Sequence, residues 1–135
     1  FTSIDMSSIL LDDSVDGDRI AAIIKDKTDK NIDSEEAKKI KELATAIVVR
    51  SARIVTATYV GIIWQRTGSG KVNKQHIAID GSVYEKMPLV KENINRALSE
   101  LLGDEAANVD TILDTGGSGL GAAISAAMAA NHAAE

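Results

Sequence analysis

Apolar and polar positions along the chain follow helical spacing in its first half and short strand-like runs in its second. Residues 1–14 set Ile9, Leu10 and Leu11 among Ser, Thr and Asp, and read as a loop leading into a short helix. Ile20, Ile23 and Ile24 recur at helical spacing and predict a short amphipathic helix over residues 15–28. The mixed charges of residues 25–31 make a solvated connection. Asp33 and Glu36 are then spaced as a capping box and open a long helix. Its first turns are polar, with Ala37, Ile40, Leu43 and Ala44 on one face. From Ala44 to Trp64 it is apolar almost all round, interrupted mainly by Arg50, Ser51, Arg53 and threonines, which predicts burial on every side. Running from Asp33 to Thr67 it would be about 50 Å long at about 1.5 Å per residue, so a break or kink is expected. A buried Arg50 or Arg53 would need a carboxylate or carbonyl partner, and a structural ion pair is the expected use. Gly68-Ser69-Gly70-Lys71 ends the helix as a C-cap and exposed loop.

The second half repeats one unit. Ile77-Ala78-Ile79 runs into Asp80-Gly81-Ser82, and Val83 and Tyr84 resume the apolar run, as in a buried strand ending in a tight turn. A helix follows from about Pro88 to Leu102, with Pro88 in its first turn and Leu89, Ile94, Leu98, Leu101 and Leu102 on a stripe. Gly103 stops it. A strand over Asp110–Asp114 then meets the glycines from Gly116 to Gly121, and an alanine-loaded helix runs from Ser118 to about His132. Two strand–glycine turn–helix units in succession predict two parallel neighbouring strands in a helix-dominated α/β fold, with a ligand edge at the glycine turns.

Composition narrows the function classes. A single domain is the default for 135 residues, and 44% hydrophobic and 26% charged residues are ordinary for a globular chain. The net charge of −5, with no basic block, argues against nucleic acid as partner. Without cysteine there is no disulfide and no thiolate metal site. No uncharged apolar run of membrane-spanning length is present, so no membrane partner is expected. Phe1 rather than Met opens the chain, and a fragment or excised domain is expected.

Several local patterns fail as motifs. Gln65 and Val72 break the phosphate-loop pattern around Gly68–Lys71, and the Gly117–Gly121 cluster lacks the dinucleotide-binding spacing. His76 and His132 are isolated and make no metal site. Asp12, Asp80 and Asp114 are candidate bases by residue type only, so no catalytic residue is assigned.

Asp80-Gly81-Ser82-Val83-Tyr84, then Pro88, then Gly117-Ser118-Gly119-x-Gly121-Ala122-Ala123, resembles the C-terminal part of the hexokinase family. Phe1-x-Ser3-Ile4-Asp5-Met6-Ser7 with Asp12 is similar to the segment where those enzymes meet ATP. The resemblance spans essentially all of residues 1–135 and implies one C-terminal piece of a large domain. The implied fold is the helix-rich half of a ribonuclease H-like, actin/hexokinase ATPase-type domain with a short, mainly parallel sheet. The implied chemistry is phosphoryl transfer from MgATP to a hexose hydroxyl, which rests on positioning and charge stabilisation. The resemblance assigns ATP binding to Ser3, Ser7, Gly81, Ser82, Val83, Tyr84 and Lys86, and a hinge glycine turn to Gly117, Ser118, Gly119 and Gly121. The family's sugar-binding motifs and catalytic aspartate lie upstream of this region, so the remainder of the parent chain, ATP and, through that remainder, a hexose are the expected partners. A cytoplasmic enzyme is expected, with a non-catalytic nucleotide-binding or structural module of the same fold as the alternative.

Overall fold

The computed structural model describes residues 1–68 and 70–132. Ser69 of the expected helix-ending loop and the side chain of His132 lie outside the described residues. The elements run α1 (Ser3–Leu10), α2 (Asp18–Thr28), α3 (Ser34–Thr67), β1 (Gln75–Ile79), α4 (Ser82–Lys86), α5 (Val90–Leu102), a 3-10 turn (Gly103–Asn108), β2 (Val109–Leu113) and α6 (Gly117–His132).

The first segment is helical from Ser3 onward, earlier than its composition suggests. A capping box explains the early start. The Thr2 hydroxyl accepts from the Asp5 amide, and Asp5 Oδ2 accepts from the Thr2 amide at 2.7 Å. Gly17 opens α2 at φ 73, and a Cβ there would stand 2.5 Å from the Cβ of fully buried Ala37. That glycine lets α2 lie directly against α3.

The expected capping box of α3 is present, with the Glu36 amide donating to Asp33 at 2.8 Å and Glu36 accepting from the Asp33 amide at 3.0 Å. The expected break is absent: α3 is one helix of 34 residues. It is also not buried all round. Ala37, Ala44, Val48, Ala52, Thr56, Val60 and Ile63 form one buried stripe, on the side where α1, α2 and α5 dock. Leu43, Ile47, Ile54, Ile62 and Trp64 are about half exposed or more. The apolar run therefore marks a helix with one face packed and the others bare. By length and composition α3 is apolar enough to cross a membrane, although Arg50 and Arg53 interrupt it and a single packed stripe accounts for its burial. Arg53 pairs with Glu100 of α5 at 2.6 Å, as a surface ion pair of small energetic weight. Arg50 is exposed. Gly68 caps the helix at φ 61, its amide donating to the Trp64 carbonyl.

Strands β1 and β2 pair in parallel, with Gln75 opposite Val109 and Ile79 opposite Leu113. The strand β1 alternates half-buried Ile77 and Ile79 with exposed His76 and Ala78, so it is half-covered rather than buried. His76 Nδ1 lies 3.7 Å from Asp110 Oδ2 on the open face. Pro88 falls outside the helix it was expected to open. The residue before a proline is driven out of the helical region. Met87 accordingly takes φ −76, ψ 121 and ends α4, and Leu89 at φ 68 precedes α5. The stripe of α5 is Val90, Asn93, Ile94, Ala97, Leu98 and Leu102, while Leu101 is 43% exposed. Buried Asn93 is satisfied by donating to the Leu89 carbonyl at 2.8 Å. Gly103 stops α5 at φ 56, as its position implied.

Candidate functional site

The turn after β1 is the centre of the site. Gly81 stands at φ 144, ψ 144, a conformation that L side chains rarely adopt, and a Cβ there would meet nothing within 4 Å. It therefore serves the backbone path and leaves open space above it. Directly beyond it α4 carries Ser82, Val83 and Lys86 toward α1.

A groove of about 430 Å³ separates α1 from α4, lined by Ser3, Ile4, Ser7, Ser8, Ser82, Val83, Lys86 and Met87. Five of the residues assigned by resemblance (Ser3, Ser7, Ser82, Val83 and Lys86) thus share one concavity, although they come from opposite halves of the sequence. Their chemistry is mixed. Four serine hydroxyls offer donors and acceptors, Ile4, Val83 and Met87 offer apolar surface, and the exposed Lys86 ammonium offers a positive charge. Ile4, Ser8 and Met87 were not among the residues assigned to the site from the sequence. For Ile4 and Ser8 the signal was available, because residues four apart on a helix share a face and pair Ile4 with Ser8 beside Ser3 and Ser7.

A second cleft of about 370 Å³ lies on the other side of the turn, where Asp80, Gly81, Ser82, Val83 and Tyr84 face Ser51, Val55 and Tyr59 of α3. Gly81 and Tyr84 line this cleft and not the groove. Tyr84 is buried, and its hydroxyl donates to Thr111 Oγ1 at 2.7 Å, which in turn donates to Asn95 at 3.2 Å. Its ring belongs to the core that joins α4 to β2 and α5. Burial, followed by the neighbouring Tyr84, holds the Tyr59 phenol above its ordinary value of 10.0, so it stays a neutral hydroxyl at neutral pH. No local pattern announces Ser51 and Tyr59, whose place in the cleft depends on how α3 packs.

The glycine turn before α6 differs in detail from its expected form. The positive φ, 90, belongs to Gly116, while Gly117, Gly119 and Gly121 already lie in the helix. Gly119 and Gly121 face open space. A Cβ at Gly117 would strike the Asp114 carboxylate. Ser118 reaches back across the strand ends: its hydroxyl donates to Asp80 Oδ2 at 2.5 Å and its amide to the same oxygen at 3.3 Å. The two glycine turns are therefore joined, which spacing alone did not show.

Asp12 does not line either concavity. Its buried carboxylate organises the α1–α2 connection, Oδ1 accepting from the Ser14 hydroxyl at 2.6 Å and amide at 3.0 Å, and Oδ2 from the Ile20 amide at 3.1 Å. The Ser14 hydroxyl, with the Ser14 and Ile20 amides and the Lys41 charge, holds its pKa below the ordinary 3.8 against the opposing effect of burial. A carboxyl depressed on folding contributes stability that is complete above its unfolded pKa and is lost as pH falls through the folded one. Asp12→Ala is expected to cost about 1–3 kcal/mol at neutral pH, because it strands a buried amide. The difference from the unsubstituted chain should shrink once the pH is taken below 3.8, as thermal melts across that range will read.

Among the described residues no group of three or more His, Asp or Glu could hold a metal ion.

Residues 1–128 match the family model described as hexokinase. Hexokinase-2 of Arabidopsis thaliana is 34% identical over 133 residues, covering 94% of this chain and 26% of that protein. Hexokinase-7 of Oryza sativa subsp. japonica is 41% identical over 96 residues, covering 69% and 21%. "Hexokinase-2, chloroplastic" of Nicotiana tabacum is 30% identical over 128 residues, covering 91% and 26%. The chain spans about a quarter of the length of these relatives.

Proposed function

The chain belongs to the hexokinase family, and on that footing we propose that it is the C-terminal, adenosine-binding part of an ATP-dependent hexokinase. The parent would phosphorylate a hexose such as glucose, with the helix-rich α/β unit serving as half of a ribonuclease H-like domain. The observation that carries the reading is the convergence of Ser3, Ser7, Ser82, Val83 and Lys86 on one groove. Val83, Ile4 and Met87 supply an apolar wall for a flat base. The serines supply hydroxyls for ribose or phosphate oxygens, and Lys86 supplies a charge for the phosphates. Magnesium enters with ATP as part of the substrate. Gly81 leaves the cleft behind Ser82 open to the same ligand.

Sugar binding and proton abstraction fall to the remainder of the parent chain. The parent therefore divides into a part that holds the nucleotide and a part that holds the acceptor, and catalysis depends on how the two are aligned.

Lys86→Glu in the parent enzyme tests this assignment. An exposed charge contact is worth up to about 1 kcal/mol, so the ATP KM should rise about fivefold while the hexose KM stays in place. An unchanged ATP KM would remove Lys86, and with it the groove, from the nucleotide site. A fluorescent fusion of the parent decides between the cytoplasm, expected from the resemblance, and the chloroplast named for the tobacco relative.

A further inference from the structure

The bond between Asp80 and Ser118 has no explanation in local turn chemistry. The two residues are 38 positions apart, Asp80 just past the end of β1 and Ser118 in the first turn of α6, which follows the neighbouring parallel strand β2. The strands stay in register to their last residues, since the Asp114 amide donates to the Ile79 carbonyl at 2.9 Å immediately before the chains diverge. Asp80 then sends one carboxylate oxygen to both the hydroxyl and the amide of Ser118. Asp114 lies against Gly117 so closely that a Cβ would have no room. The head of α6 is thus hydrogen-bonded to the carboxylate at one strand end and lies against the carboxylate at the other. Little else holds it: Leu120, Ile124 and Met128 are all more than half exposed, and α6 has no extensive packing against another element among the described residues.

We propose that Asp80 is a positioning residue for nucleotide binding, which fixes the head of α6 relative to the Gly81–Ser82 turn. The proposal rests on the adenosine-side reading of that turn. Asp80 lines the same cleft as Gly81 and Ser82, so the residue that shapes one wall also sets where the second glycine turn stands. A hydrogen bond to a charged acceptor is among the stronger single polar contacts, and one oxygen here receives two. Losing it frees α6 to pivot about Gly116, whose φ of 90 already marks the point where the chain turns. The site would then have to order α6 whenever nucleotide binds, and affinity falls by the cost of that ordering.

A double-mutant cycle in the full-length parent enzyme tests this. Asp80→Ala and Ser118→Ala should each raise the ATP KM about tenfold, with kcat and the hexose KM changed far less. The double variant should be no worse than Asp80→Ala alone, because Ser118→Ala removes only the hydroxyl bond to a carboxylate that Asp80→Ala removes outright. Asp80→Asn keeps an oxygen that accepts from Ser118 and should restore most of the affinity. Additive losses would show that the two residues act separately and would overturn the proposal. So would an Asp80→Ala enzyme that melts at a lower temperature but keeps its ATP KM. Gly81→Val in the same preparation separates the premises. If it raises the ATP KM and Asp80→Ala does not, the positioning role alone fails. If neither does, the adenosine assignment of the turn fails with it.

Discussion

Gly81→Val in the parent enzyme should raise the ATP KM by more than tenfold while leaving a folded protein. Two effects are superimposed in this variant. Forcing a side chain onto φ 144 costs on the order of 1–3 kcal/mol of backbone strain, more readily for a β-branched residue. The new side chain also enters space that the folded chain leaves empty, since nothing lies within 4 Å of a Cβ at this position. Only the second effect depends on nucleotide. Gly103 supplies the matched control, because it too has a positive φ, 56, with open space around a Cβ, but it lies at the far end of α5. Gly103→Val should therefore lower Tm by a similar few degrees and leave the ATP KM where it was. If Gly81→Val merely copies that behaviour, the turn is a turn and the functional reading of Asp80-Gly81-Ser82 is lost.

The 135-residue chain by itself is expected to give no detectable glucose phosphorylation. General acid–base assistance contributes about 10²–10⁴-fold to such reactions. Holding the acceptor hydroxyl in line contributes effective molarities of about 10⁵–10⁸ M. Both are assigned to the remainder of the parent. Of the aspartates that could stand in, Asp12 ties the α1–α2 connection and Asp80 holds Ser118, while Asp114 lies against Gly117 and lines neither concavity. A coupled assay on chain freed of contaminating kinase, with circular dichroism to establish that its helices are formed, reads the result. Turnover above the blank would place an acceptor site and a base within these residues and reverse the division proposed above.

Legibility varied with the range of the interaction. Asp33 with Glu36 and the stop at Gly103 could be read directly, because caps are made by neighbours in sequence. The parallel pairing of β1 with β2 followed from the repeated strand–turn–helix unit. Pro88 carries two local signals that conflict: its fixed φ suits a first helical turn, but its ring drives Met87 out of the helical region, and here the second wins. The unbroken α3 was harder. Hydropathy reports that a residue tolerates burial, and Leu43, Ile54 and Trp64 are apolar yet open, so the pattern could not tell which face packs. Within the candidate site, Ser3, Ser7, Ser82, Val83 and Lys86 were assigned through family resemblance, and the groove's other residues were not. Ser51, Tyr59 and the Asp80–Ser118 bond carry no linear signal, since they exist only once α3 and the strand ends are in place.

The length of α3 also imposes an order of events during synthesis. Its partners α1 and α2 precede it, so they can dock as soon as it leaves the ribosome. Its partner α5 ends at Leu102, 35 residues after Thr67. At about 5–20 residues per second that interval lasts roughly 2–7 s. For those seconds a completed 34-residue helix waits with the α5 side of its stripe uncovered. Ribosome-bound chaperones would meet the nascent chain at that strip, and slow codons between residues 67 and 102 would prolong the encounter.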